Sequence, residues 1–274
     1  MIDWINLLKD CSQRIRSQVL ALFRSAEAGV GFGVGAGGDV MKKIDLVAED
    51  ALIATLQDHH VSCTLISEET GIKKIGPEPS DFYVTTDPLD GTTNAVRGIP
   101  FMATSIAVST APYLRDVETA LVSDLLHDVT YTAQKGQGAL RNEHKIKPSS
   151  TSSLEKAVIG VDFNTFKIRE IVTRLAVAFE RTKHLRHLGA NALEVCYVAD
   201  GTIDAFLDLR GKLRVTDIAA AYLILREAGG LMVTPEGAEM NVPLSPTQRV
   251  SFIATANRSL CKAIREGLAS AGRQ

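Results

Sequence analysis

Apolar residues near the start of the chain return at helical intervals: Ile5, Leu8, Ile15, Val19 and Leu22 mark one face of an amphipathic helix. A second helical stretch opens at Lys42-Lys43-Ile44-Asp45, after the glycine-rich run Gly29–Gly38. From residue 61 the pattern changes to short apolar runs at 61–67, 82–86, 102–109, 117–123 and 128–134, which predict strands. The polar run Lys147–Ser153 predicts a junction, dividing the chain into halves 1–147 and 148–274. Beyond it, strand-like Ala157–Val161, a helical stretch over 166–181 and strand-like Ile203–Leu207 follow. A buried helix from Ile218, closed by Gly229-Gly230, a strand at Val250–Ala254 and a last helix over 257–269 complete the pass. Periodicity alone therefore predicts mixed α and β.

Composition narrows the class. With 274 residues, 45% of them apolar, the chain can bury a substantial core. A net charge of only −2 supplies no global field for nucleic acid or an acidic membrane, and aromatics at 5% show no basic interleaving suited to base stacking. The four cysteines are widely spaced without a C-x-x-C pair, so reduced core thiols are expected. No apolar run approaches the ~20 residues of a membrane span, no basic leader precedes an apolar core, and the cytoplasm is the expected address.

The chemistry concentrates in Asp87-Pro-Leu-Asp-Gly-Thr-Thr93, at the end of the strand-like run from Phe82. Hard divalent cations such as Mg²⁺ take carboxylate oxygens, which Asp87 and Asp90 supply from one rigid corner. Pro88 fixes its own φ, and Gly91 lets backbone come close to a bound group. Thr92 can begin a helix whose free N–H groups favour an anion. Three further segments offer acids: Glu68-Glu69 after the strand-like Cys63–Ser67, Asp217 at the start of the buried helix, and Asp45, Glu49 and Asp50 in the second helical stretch. Singly, each reads as well as a cap or a turn. The glycine run satisfies G-x-G-x-x-G at Gly33–Gly38, yet it follows a helix rather than a strand and leads into polar residues, so a flexible loop is the better reading than a dinucleotide site.

In this order the segments resemble the inositol monophosphatase superfamily of metal-dependent phosphatases. The resemblance runs from about residue 40 to 230 and rests on Ile66-Ser-Glu-Glu69, the Asp87–Thr93 motif, Gly189-Ala-Asn-Ala192 with the residues to Gly201, and Thr216-Asp217-Ile-Ala-Ala. It implies an α+β layered αβαβα sandwich, two or three Mg²⁺ ions with Mn²⁺ as a substitute, lithium sensitivity and a homodimer. By position it implies Glu68, Asp87, Asp90, Asp217 and the Leu89 carbonyl as metal ligands, and Gly91 and Thr92 as the phosphate cradle. Glu68, Thr92 and Asp45 are then expected to serve in-line attack by a metal-activated water. Asp39 and Lys42 fall on the mobile loop, and Gly189, Ala190 and Asn191 where relatives contact substrate hydroxyls.

Ahead of Asp217 the chain reads Asp208–Thr216, whereas animal inositol enzymes carry an acid near Arg210 and a tryptophan just before the aspartate; with Arg210, Lys212 and Arg214 it resembles the archaeal-type members, which often hydrolyse both inositol-1-phosphate and fructose-1,6-bisphosphate. A cation here suits a second phosphate, and Arg210 is the candidate contact. A basic trio at a strand end is also a common solvated face. The rival readings are the same chemistry on a 3′-phosphoadenosine nucleotide or NADP, and a metal- or polyol-binding relative that has lost turnover.

Overall fold

A computed structural model describes residues 2–271. Helices α1 (Trp4–Leu22) and α2 (Lys43–Asp58) follow the two helical patterns, and between them β1 (Gly31–Val34) and β2 (Val40–Lys42) pair as an antiparallel hairpin. The glycine run, expected as a flexible loop, is thus partly a paired hairpin. Every side of β1 is exposed, so no alternation of apolar and polar residues announces it.

The strands β3 (Cys63–Ser67), β4 (Gly71–Ile75), β5 (Tyr83–Asp90), β6 (Ala103–Ser109), β7 (Val117–Asp124), β8 (Val129–Gln134), β9 (Gly138–Arg141) and β10 (His144–Lys145) build one eight-stranded sheet in the order β10-β9-β8-β7-β6-β5-β3-β4. The short helix α3 (Thr92–Arg97) leaves the end of β5. The later residues supply β11 (Val158–Val161), α4 (Ile168–Glu180), β12 (His184–Arg186), α5 (Asn191–Ala199), β13 (Ala205–Arg214), α6 (Val215–Ala228), β14 (Leu231–Val233), β15 (Arg249–Thr255) and α7 (Arg258–Ala271). Their five strands form a second sheet in the order β12-β11-β13-β15-β14.

Three apolar clusters explain the layering. Leu8, Ile15 and Val19 of α1 and Leu52 and Leu56 of α2 pack on Val84, Ile106 and Leu121, which line the outer face of the large sheet. Between the sheets, α5 and α6 bury Leu193, Cys196, Tyr222 and Leu225 with Tyr131 and Phe206. On the far side, Leu175 of α4 and Leu260 and Ile264 of α7 cover Ile159, Leu207 and Ile253 of the small sheet. The result is the layered αβαβα sandwich. Helix α6 is apolar around most of its circumference, as a helix enclosed by two sheets must be. All four cysteines are free and buried.

Phe206 is fully buried and its ring lies 5.8 Å from that of Phe252. Truncating it to alanine removes a large side chain between layers, and the expected loss in urea unfolding is about 3–5 kcal/mol. A loss below about 1 kcal/mol would contradict this packing.

Candidate active site

Two adjacent strands deliver the first two acids. β3 runs parallel to β5 with Ser67 beside Thr86, so the next residues, Glu68 and Asp87, come side by side at the end of that pairing. The pairing of β5 with β6 slips between Asp87 and Asp90, where Pro88 interrupts the ladder. The Leu89 N–H donates to Asp87 Oδ1 at 3.1 Å, which folds the corner and leaves the Leu89 carbonyl to accept from Thr92 Oγ1 at 3.2 Å. Asp217 arrives from the opposite layer. It stands in the first turn of α6, where its Oδ2 accepts the Arg214 N–H at 3.3 Å, and Ser105 Oγ on β6 holds its carbonyl.

Carboxylate oxygens of Glu68, Asp87 and Asp217 consequently lie within 4.8 Å of one another. Asp90 borders the same cavity, but one of its oxygens is already used: the Ala192 N–H donates to Asp90 Oδ2 at 2.6 Å, docking the start of α5 on the motif. The cavity measures about 800 Å³. Gly91 sits at its floor with φ +95°, and a Cβ there would meet the Phe101 carbonyl at 3.1 Å, so both conformation and space require glycine. Following it, the first N–H groups of α3 have no intrahelical partners.

Electrostatics are dominated by burial and like charge. Desolvation, then the Asp217 charge, pushes Glu68 well above the carboxylate range. Asp87 moves the same way through burial and then Glu68, and Asp217 through burial. Asp90 rises to about 8, from burial and Asp217, and Glu69 to about 8 from burial and Asp45. Such a set favours protons or cations, because each added positive charge relieves several repulsions at once. An oxygen-only donor set of this kind suits hard divalent cations rather than thiophilic ones. The fit is supported by orphaned oxygens on the cavity wall: Asp45 Oδ1 and Asn191 Oδ1 are buried without a hydrogen-bond partner.

Other expected residues fall into place unequally. Asp45, nearly buried in α2, accepts the Lys42 N–H at 2.8 Å and lies beside Thr92. Asp39 and Lys42 both border the cavity, with the Asp39 carboxylate paired to Arg214. Gly189 and Asn191 line the cavity, whereas Ala190 is fully buried against Gly91 and does not face it. Asp50 is exposed and borders a groove between α1 and α2 instead of the acidic cavity.

The basic trio departs from a solvated face. Arg210 is a free cation in neither direction: its guanidinium is clamped by Asp208 and by Asp162 at 2.7 Å, with its side chain 7% exposed. Arg214 is buried, and ion-pairs with Glu68 at 2.6 Å. Lys212 alone of the three is exposed on the cavity wall without a carboxylate partner among the described residues.

Glu194 and Asn94 were not expected. Glu194 is fully buried and its Oε1 accepts the N–H groups of Leu188 at 3.3 Å and Gly189 at 3.0 Å. Asn94 Nδ2 donates to the carbonyls of Phe101 and Leu188, both at 2.8 Å. Together they fix the loop ahead of α5, and only Glu194 carried a signal, an acid inside an otherwise apolar helix.

The sequence profile of the inositol monophosphatase family matches residues 6–271. The chain belongs to that family. An inositol monophosphatase family relative, the fructose-1,6-bisphosphatase/inositol-1-monophosphatase of Methanothermobacter thermautotrophicus, is 38% identical, with 97% of this chain and 96% of that protein aligned. The bifunctional NADP phosphatase/NAD kinase of Methanococcus maripaludis is 32% identical across 93% of this chain, which spans 47% of that longer protein. A solved inositol monophosphatase–fructose 1,6-bisphosphatase superposes with a TM-score of 0.85 at 30% identity, covering 97% of this chain and all of the other. This family is metal-dependent, in keeping with the acidic cluster.

The pKa shifts set a pH dependence. Asp90 and Glu69 hold protons in the fold up to about pH 8, against ordinary values of 3.8 and 4.5. The stability they contribute is complete below about pH 4 and is lost as pH rises through about 8. In chelator, the melting temperature is therefore expected to fall between pH 6 and pH 9. Cations replace the lost protons, so saturating Mg²⁺ should raise the melting temperature by about 5 °C or more at pH 8.5 and by less at pH 6. A larger Mg²⁺ effect at pH 6 would contradict the site.

Proposed function

We propose that the chain is a Mg²⁺-dependent phosphomonoesterase that releases inorganic phosphate from small polyol and sugar phosphates, inositol-1-phosphate and fructose-1,6-bisphosphate foremost. One observation carries the reading: Glu68, Asp87 and Asp217 converge within 4.8 Å at a cavity floored by Gly91 and Thr92. The relatives named above support the substrate class, and two or three Mg²⁺ ions, with Mn²⁺ as a substitute, match the number of acids.

Divalent cations would supply charge neutralisation and acidification of an attacking water when bound. Glu68, Asp87, Asp90, Asp217 and the Leu89 carbonyl would hold them. The N–H groups of Gly91 and Thr92 grip the phosphate, with the anion against the start of α3. Thr92 Oγ1 already donates to Leu89, so its lone pairs remain to accept a hydrogen bond from the nucleophilic water. Glu68 orients the same water from the other side. Asp45, beside Thr92 and with Oδ1 free, takes the proton as the O–H bond breaks. Water attacks phosphorus directly as the ester P–O bond opposite it breaks, the departing alkoxide takes a proton from solvent to leave as the alcohol, and no residue is phosphorylated. Gly189 and Asn191 meet the substrate hydroxyls.

The second phosphate of a bisphosphate lies toward Lys212, since Arg210 and Arg214 are already engaged by carboxylates. Helix α4 and its approach expose Phe166, Ile168 and Val172, and this apolar surface supports a homodimer. Among the described residues no helix is long and apolar enough to cross a membrane, and a cytoplasmic address is part of the proposal, as is lithium inhibition.

Steady-state phosphate release over inositol-1-phosphate, fructose-1,6-bisphosphate, NADP and a 3′-phosphoadenosine nucleotide tests the reading. Release from the first two that disappears in EDTA is expected. A clear preference for NADP would favour the activity named for the Methanococcus relative, and no release from any ester a binding role. With saturating Mg²⁺, Asp90→Asn should lower kcat/KM at least about 100-fold, or ~3 kcal/mol. Near-normal turnover would contradict its role.

Lys212→Ala separates the two substrates. Losing one exposed charge-assisted contact should raise KM for fructose-1,6-bisphosphate by about 3–10-fold while inositol-1-phosphate kinetics stay within twofold. An equal change for both substrates would remove Lys212 from the second-phosphate wall.

A further inference from the structure

The guanidinium of Arg214 has a partner in each of three directions. Nη1 donates to the Glu68 carboxylate at 2.6 Å, Nη2 pairs with Asp39, and Nε and Nη2 both reach the Gly37 carbonyl at 3.3 Å. Glu68 belongs to the acidic cluster, while Gly37 and Asp39 belong to the turn of the β1–β2 hairpin. A single buried cation thus touches both the candidate metal ligands and the loop beside them. Only arginine has the planar fork for this, because a lysine ammonium is a point charge with no fixed directions.

The loop is seated on the same residue by its backbone. The Gly37 N–H donates to the Glu68 carbonyl and the Ala36 N–H to the Glu69 carbonyl, each at 2.8 Å. Gly37 lacks room for a side chain: a Cβ would collide with Arg214 Nε and lie 2.8 Å from its Cζ. Its glycine serves close approach rather than an unusual φ. Arg249 adds a second guanidinium to the Gly37 carbonyl and holds the Lys212 carbonyl at 3.0 Å, without touching the acids of the cluster.

We propose that Arg214 is a positioning residue that couples cation occupancy of the acidic cluster to the seating of the glycine-rich hairpin. The inference rests on the reading that Glu68, Asp87 and Asp217 hold divalent cations. A cation arriving there repels the guanidinium and competes with it for Glu68. As Glu68 turns to the cation, Arg214 keeps only Asp39 and the Gly37 carbonyl, and its charge is concentrated on the loop. Cation binding therefore tightens the loop over the cavity. By linkage, a seated loop draws Arg214 from Glu68 and strengthens cation binding by the same factor.

Calorimetric titration of Mg²⁺ and hydrogen exchange of the amides of residues 31–40, with and without Mg²⁺, test this on the full chain. In the wild type, Mg²⁺ should slow exchange at Ala36 and Gly37 at least about fivefold, the lower end of ordinary coupling. Arg214→Met removes the competing charge, so Mg²⁺ should bind more tightly by about fivefold while loop exchange becomes fast and insensitive to Mg²⁺. Arg249→Met should speed loop exchange yet keep its Mg²⁺ response and leave Mg²⁺ affinity within twofold. Arg214→Lys, which keeps the charge and stands in if the methionine variant fails to fold, should lose the response and with it bind Mg²⁺ up to about fivefold more weakly. A Mg²⁺ response that persists in Arg214→Met or Arg214→Lys would overturn the coupling. Absence of Mg²⁺ binding to the wild type would sink the metal reading itself, and the coupling with it.

Discussion

Carboxylates packed together with little access to water repel one another, and a fold that buries them needs a positive charge in their midst. Here Asp87, Asp90 and Asp217 are each at most 6% exposed, and Glu68 stands beside them. Much else in the structure answers to that constraint. The parallel register of β3 and β5 puts Glu68 beside Asp87, the break at Pro88 turns Asp90 toward the cavity, and α6, packed between two sheets, carries Asp217 in from the other layer. The same layers that supply the hydrophobic stabilisation also keep the acids from spreading apart. Stability and chemistry are therefore opposed locally and joined globally.

Arg214 is the chain's internal share of the compensating charge. One guanidinium cannot balance four acids, and it leaves the cluster pushed toward protonation. That residual deficit draws protons or cations into the cluster, and cations gain over protons as pH rises. Arg210 meets a similar need a few residues away, where Asp162 and Asp208 enclose it. The two arginines look alike in sequence and are committed to different carboxylates, which leaves Lys212 as the exposed cation of that wall.

How much of this was legible beforehand varied with distance along the chain. The Asp87–Thr93 corner was readable because proline, glycine and two aspartates act within seven residues, where turn chemistry is local. The strands at 102–109, 117–123 and 128–134 lie close to their positions in the structure because each is short, rich in β-branched and apolar residues, and buried in the middle of the large sheet. The hairpin β1–β2 was hidden, since its residues are exposed or only half-buried and bury no full face that would leave a pattern. Strand β13 extends through Arg210 to Arg214, beyond the apolar stretch that marks it, because side chains there bury guanidinium groups against acids. The pairing of Arg214 with Asp39 joins residues 175 positions apart, and nothing local in either segment encodes it. Ala190 shows the converse: the resemblance implies a substrate contact from its loop, and the start of α5 turns its side chain inward against Gly91.

Crystals of the wild type grown with Mn²⁺ and inorganic phosphate, measured at the manganese absorption edge, test the central claim most directly. Anomalous peaks bounded by the carboxylates of Glu68, Asp87, Asp90 and Asp217, with phosphate against the Gly91 and Thr92 amides, are the result this account requires. Manganese absent from that cleft, with the four acids instead paired to lysines or arginines, would contradict it.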